Sequence, residues 1–310
     1  MELTFRVLAL VAPLLVGALC GGLRLFPKPD LAVAQLNRFA LYVAFPALVY
    51  GGLADARFAL PSAWLFWALV PATLLLALAL LRTFGRPHAG SLALVVAFGN
   101  VAYIGLPVVQ QLLGDAATGV GALAVAIHVT LAMVFGPALL LRWSGGDGSA
   151  PPSAVLRQPL LWAPLAVLLA RQLPGDARRL LGAVADPLGD AAAPVALFLL
   201  GLYLHTHRAV LRRIDRAALG HVAAKLLLLP ALTFAGVAGG LHAGLLPLRE
   251  AQVLLLLAAM PTAITTFAIA ERFGVGVNRV TQAIVASTLA SALSLPATAW
   301  LALRVLPGWA

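Results

Sequence analysis

The chain has 310 residues, 62% apolar and only 10% charged, and a mean hydropathy of +0.99. It lacks the polar side chains needed to cover a water-facing surface, which excludes a soluble globular domain. The net charge of +10 comes from 21 Lys and Arg scattered at the ends of apolar runs, a pattern of membrane anchoring and not of a nucleic-acid-binding stripe.

The apolar runs are continuous and rich in Leu and Ala, without the alternation of a membrane β-barrel, so they predict an all-α polytopic membrane protein. Cys20 stands alone and allows neither an intramolecular disulfide nor a thiolate cluster. The first apolar run, 7–25, follows Glu2 and Arg6 and leads into Pro27-Lys28-Pro29. That start is not basic enough for a signal peptide, and the run reads as a retained first helix.

A bilayer core takes roughly 20 apolar residues per helix. On that measure ten transmembrane helices are predicted, at 4–26, 34–53, 61–82, 90–113, 118–142, 157–174, 187–207, 217–243, 249–273 and 279–305. The Gly-, Ser- and Pro-rich stretch 143–156 (WSGGDGSAPPSAVL) reads as a cytoplasmic linker. It divides a first five-helix repeat, 1–142, from a second, 157–310. At a shift of 160 the halves echo one another, with Gln111 over Glu271, Gly114 over Gly274, Val120 over Val280 and Val125 over Val285. An odd number of helices per half inverts the second relative to the first. With the N-terminus outside, the basic clusters at 24–38, 82–86, 142–157 and 208–216, with Arg272 and Arg279, fall on the cytoplasmic side.

The fourth and ninth spans are interrupted at corresponding places. The fourth reads GNVAYIGLP (99–107) and the ninth AMPTAITT (259–266). Gly99 and Gly105 permit unwinding, Pro107 and Pro261 remove backbone donors, and Asn100 and Thr262, Thr265 and Thr266 add polar groups at mid-span. Backbone freed at membrane depth is tolerated only in protein or around a cavity, and paired breaks of this kind point to a transporter's binding site. The half-helix after the first break is expected to start near Gly105, offering free N–H groups and a positive dipole end to a carboxylate. The alternative is two kinked helices whose polar groups bind neighbouring helices.

Other polar residues in the spans are His128, Lys225, Glu271 and Gln282. His128, in the middle of the fifth span, is a candidate for ion coupling. Glu271 and Gln282, near the inner surface, are candidates too, against solvated pairing for the first and a helix contact for the second. Lys225, about 13 Å along the eighth span, is expected to snorkel to the interface. Asp190 reads as a helix cap, and the His205/His207 pair as an interfacial collar. No hydrolase or phosphate-loop motif is present, so neither an enzyme nor a bound metal or cofactor is expected.

Several segments resemble the auxin efflux carrier family: LNRFALYVAFPAL (36–48), FGNVAYIGLP (98–107), PVALFLLG (194–201), AAMPTAITTFAIAERFG (258–274) and STLASALSLP (287–296). They lie in family order along almost the whole chain. The resemblance implies the fold of the bile acid/sodium symporter superfamily, two inverted five-helix repeats with helices 4 and 9 broken and crossing. It implies a scaffold domain and a crossover domain, each built from both repeats. Asn100, Tyr103, Gly105 and Pro107 carry over as the first crossing, and Pro261, Thr262 and Thr265 as the second, while Asn37 and Pro46 should face the substrate cavity. The function implied is that of a bacterial cytoplasmic-membrane permease, similar to malonate carriers, that moves a small organic anion by alternating access. H+ or Na+ as coupling ion, the lipid bilayer and a second copy of the chain are its partners. The competing readings are a sodium-coupled symporter of bile-acid type and a non-transporting membrane sensor or assembly protein.

Overall fold

The computed structural model describes residues 2–54, 63–84, 89–143 and 159–310. The linker from 144 onward and Arg57, Arg86 and Arg157 lie outside the described residues. The named elements are helical, and each of the ten predicted spans contains helix. In chain order the α-helices are α1 (Glu2–Gly22), α2 (Pro29–Phe39), α3 (Phe45–Ala54), α4 (Trp64–Phe84), α5 (Ala89–Ala97), α6 (Leu106–Leu113) and α7 (Asp115–Trp143). They continue as α8 (Pro159–Ala170), α9 (Gly175–Asp190), α10 (Ala192–Thr206), α11 (Arg216–Ala223), α12 (Leu229–His242), α13 (Leu248–Ala258), α14 (Thr265–Phe273) and α15 (Val277–Trp300).

Four stretches among the described residues, Pro29–Gly51, Gly175–Thr206, Arg216–His242 and Val277–Trp309, are each long and apolar enough to cross a membrane. Large apolar side chains such as Leu19, Leu76, Leu169, Leu227 and Leu293 point outward. Such a surface is stable against lipid and not against water.

The helices are widened at four places among the described residues, by the π turns Ala40–Ala44, Val101–Gly105, Ala224–Leu228 and Leu301–Val305. Each ends two residues before a proline: Pro46, Pro107, Pro230 and Pro307. A proline donates no N–H and its ring collides with the carbonyl four residues back. Slackening the preceding turn to a five-residue bond removes the collision without breaking the helix. Thus Phe45 N–H donates to Ala40 O, and Leu229 N–H to Ala224 O.

The chain divides into two compact units, residues 1–59, 102–126 and 157–209, and residues 60–101, 127–156 and 210–310. In the first, α1 and α10 touch along their backbones: a Cβ at Gly17 would overlap the Phe198 carbonyl, and one at Gly201 the Leu14 carbonyl. Small residues at such contacts are how helices associate where no hydrophobic force separates protein from solvent. Gly189 of α9 likewise lies against the backbone of Leu48 in α3. In the second unit Gly236 and Gly240 of α12 receive Leu69 and Leu65 of α4. Every residue of α5 is buried.

Two expectations are corrected here. Residues 175–186, which hydropathy places between spans, are the first turns of α9, an amphipathic helix with exposed Leu180 and an Arg179–Asp176 ion pair at 3.4 Å. Asp190 does not cap the next helix, which starts from Ala191 without a side-chain cap.

Candidate functional site

Both interruptions fall in the second unit, and they meet there. Phe98, Gly99 and Asn100 separate α5 from the π turn at Val101, and residues 259–264 separate α13 from α14. The two stretches run antiparallel, with Gly99 bridged to Thr262. Asn100 N–H donates to Pro261 O at 2.7 Å, and Ala263 N–H donates to Phe98 O at 2.9 Å. An unsatisfied backbone group in hydrocarbon costs about several kcal/mol, so each break supplies what the other lacks.

Two further backbone donors are taken up by side chains of the helices that follow. Gly99 N–H donates to His128 Nε2 at 3.2 Å, and Thr262 N–H donates to Ser287 Oγ at 3.1 Å. Because Nε2 is the acceptor, the proton of that imidazole belongs on Nδ1. His128 thus has a backbone role in the first break, matched by Ser287 in the second. Ser287 had no role among the residues singled out by motif; its signal is its position, 159 after His128, close to the shift of 160 at which the two halves echo one another in sequence.

Some polar atoms at the crossing stay unpaired. Asn100 Nδ2 and Thr262 Oγ1 are buried and have no hydrogen-bond partner. Their residues are 2% and 0% exposed, so an amide donor and a hydroxyl are buried without a protein partner. Buried polar groups are nearly always satisfied, and exceptions call for an explanation.

Lys225 does not snorkel. It is fully buried, its stem reaches α5, and Nζ stands 3.5 Å from Val96 O. The reason is its place in the π turn Ala224–Leu228, where Ala224, Lys225 and Leu226 form the covered face. A Cβ on Gly99 would lie 2.9 Å from Nζ and 3.5 Å from His128 Nε2, so glycine leaves room for both side chains.

The first half-helix begins at Val101, four residues before the expected start at Gly105. Gly105 and Pro107 are buried within its first turns. In the first unit, Tyr103 OH donates to Asn37 Oδ1, and the Tyr103 ring stacks on Phe45 with centroids 4.8 Å apart. Pro46 is half-buried, just past the π turn of that helix. Thr265 opens α14 half-exposed, and Thr266 Oγ1 donates to Ala263 O at 2.7 Å. Each half-helix ends at a glycine of positive φ, Gly114 at 80° and Gly274 at 65°.

Glu271 is exposed and makes no part of the crossing. Gln282 accepts the Asp215 N–H at 3.1 Å, beside an Arg279–Asp215 ion pair at 3.3 Å. Among the described residues no group of three His, Cys, Asp or Glu could hold a metal ion.

A family model described as "Membrane transport protein" matches residues 7–150 and 152–299. The chain belongs to this auxin efflux carrier family. It is therefore a multi-pass membrane transporter and not an enzyme. This transporter is 29% identical over 307 residues to a Rhizobium meliloti (strain 1021) protein named "Putative malonate transporter", covering 94% of this chain and 92% of that one. It is 27% identical over 322 residues to proteins of Escherichia coli (strain K12) and Shigella flexneri named "Uncharacterized transporter YfdV", covering 95% of this chain and 96% of each.

Proposed function

We propose that this transporter is a secondary carrier for a small organic anion, a carboxylate, bound at the crossing of the two breaks and moved by alternating access. The observation that carries the proposal is the pair of unspent groups there, Asn100 Nδ2 and Thr262 Oγ1, beside a main-chain bridge that already satisfies the backbone. An amide N–H and a hydroxyl are donors suited to carboxylate oxygens. The N-terminus of the half-helix at Val101 follows Asn100 directly and adds a favourable dipole end. The "malonate" in the name of the Rhizobium relative supports the same substrate class.

In this reading the repeats 1–142 and 157–310 are inverted copies. The matched roles of His128 and Ser287 and the paired glycines at 114 and 274 support the correspondence. In the first unit, the contacts of Tyr103 with Asn37 and Phe45 hold the π turn that opens the first half-helix.

The test is uptake of mono- and dicarboxylates by the purified protein in proteoliposomes, with a thermal-stability screen of the same compounds in detergent. Asn100→Ala is expected to abolish uptake and the carboxylate-dependent rise in melting temperature while leaving the unliganded melting temperature close to wild type. Undiminished uptake by that variant would overturn the assignment.

A further inference from the structure

One charged group in the second unit is used neither by the bridge nor by the surface. Lys225 is 0% exposed, yet it has no carboxylate partner among the described residues. Its one hydrogen bond among the described residues is the 3.5 Å contact from Nζ to Val96 O. Val96 is the penultimate residue of α5, and the carbonyls at that end are the negative pole of the half-helix. On its other side the amine stands against Gly99 and near His128. Carbonyls at the C-terminal ends of half-helices are the places where broken-helix carriers hold a coupling cation. A charged side chain at such depth is costly and marks an ion or proton pathway.

A row of polar groups leads to it. His221, one turn earlier on the same helix and 2% exposed, has Nε2 3.0 Å from Ser91 Oγ on α5. Its Nδ1 meets Ala217 O, in the first turn of α11. That turn is capped by Asp215, whose carboxylate accepts the Ala218 N–H at 2.6 Å and whose side chain is 44% exposed. Residues four apart on a helix share a face about 6 Å apart along the axis. Asp215 stands at the exposed start of this helix, and His221 and Lys225, four apart, follow on its buried side toward the first break and His128.

We propose that Lys225 is a proton-binding site, a tethered cation that stands at the first break where other carriers hold a metal ion and that exchanges its proton with the surface by way of His221. The proposal rests on the reading of the crossing as the transport site. Charged, the amine serves as counter-ion to the end of α5; discharged, it leaves that end without one. An anion at Asn100 and Thr262 attracts the charged form, so anion and proton bind with positive cooperativity. The ionisable groups on the elements packed around Lys225 are few. On its own helix they are Arg216 and His221, α5 has none, α12 has His242 at its far end, and α15 has Arg279, paired with Asp215. His128 on α7 completes the set.

The experiment compares wild type with Lys225→Met, which keeps the length without the charge, and Lys225→Gln, which keeps a donor to Val96 without a titrating group. In sodium-free proteoliposomes an imposed pH gradient is expected to drive carboxylate uptake by wild type. Both variants should lose about tenfold or more of that uptake, and the exchange of internal for external carboxylate that remains should need more carboxylate and no longer vary with pH. In detergent, the melting temperature of wild type should vary with pH in a way that is lost in both variants. A purely structural lysine predicts instead that Lys225→Gln restores gradient-driven uptake. That result, an absolute sodium requirement in wild type, or an unchanged pH dependence of melting in both variants would overturn the proposal. If wild type moves no carboxylate, the transport reading falls, and the pH dependence of melting still decides Lys225.

Discussion

At the residue scale, the crossing is held by four hydrogen bonds whose donors are main-chain N–H groups, and two of the acceptors are side chains. Ser287→Ala would leave the Thr262 N–H buried without an acceptor, a loss of about 1–3 kcal/mol. The expected outcome is a lower melting temperature in detergent for Ser287→Ala, with Ser287→Thr closer to wild type because the hydroxyl is kept. A side chain at Gly99 would displace the Lys225 amine, so glycine there fixes where that amine stands. The breaks themselves were legible in the sequence from Pro107, Pro261, Gly99 and Asn100, because proline and glycine announce themselves locally. What they bond to was not legible. The partnership of Thr262 with Ser287 spans 25 residues, and no local pattern in the chain encodes it. Hydropathy gives a lysine within a span no direction; the π turn and the packing of α5 decide that Lys225 points inward.

At the element scale, helices were legible throughout, and their irregularities less so. Hydropathy identifies apolar runs and misses the amphipathic start of α9, whose outward Arg178 and Arg179 lower its average. The π turns follow from prolines visible in the sequence, yet Pro13 and Pro71 sit inside helices without one. Proline alone therefore does not predict a π turn, and the surrounding packing selects it. The α1–α10 seam depends on two glycines where backbones touch, and added volume there has nowhere to go. Gly201→Val is expected to lower the melting temperature sharply or prevent accumulation. Gly239→Ala, where a Cβ meets nothing within 4 Å, should be neutral or stabilising by about 0.5–1 kcal/mol. Fluorescence-detected size-exclusion and melting curves of the two variants separate the cases.

At the scale of the whole molecule, each compact unit draws on chain from both sides of the 143–156 stretch. The α1–α10 seam joins the N-terminal helix to one that follows the linker, and the crossing joins residues near 100 to residues near 262. Neither half therefore has a full set of partners. Expressed alone, 1–142 and 157–310 are expected to be degraded or to aggregate; co-expressed, they should co-purify and regain carboxylate-dependent stabilisation. Accumulation of either half as a monodisperse species would contradict this account.

The bridge between Gly99 and Thr262 is made by main-chain atoms, and that has a consequence for how the family diversifies. Main-chain pairing is blind to side-chain identity, so the frame survives changes in the groups it displays. If the solute binds as proposed, positions 100 and 262 can be rewritten for one of different charge or shape without rebuilding the scaffold beneath them. The architecture separates the part that must stay constant from the part that can be edited, which makes this carrier a natural starting point for selecting new cargo.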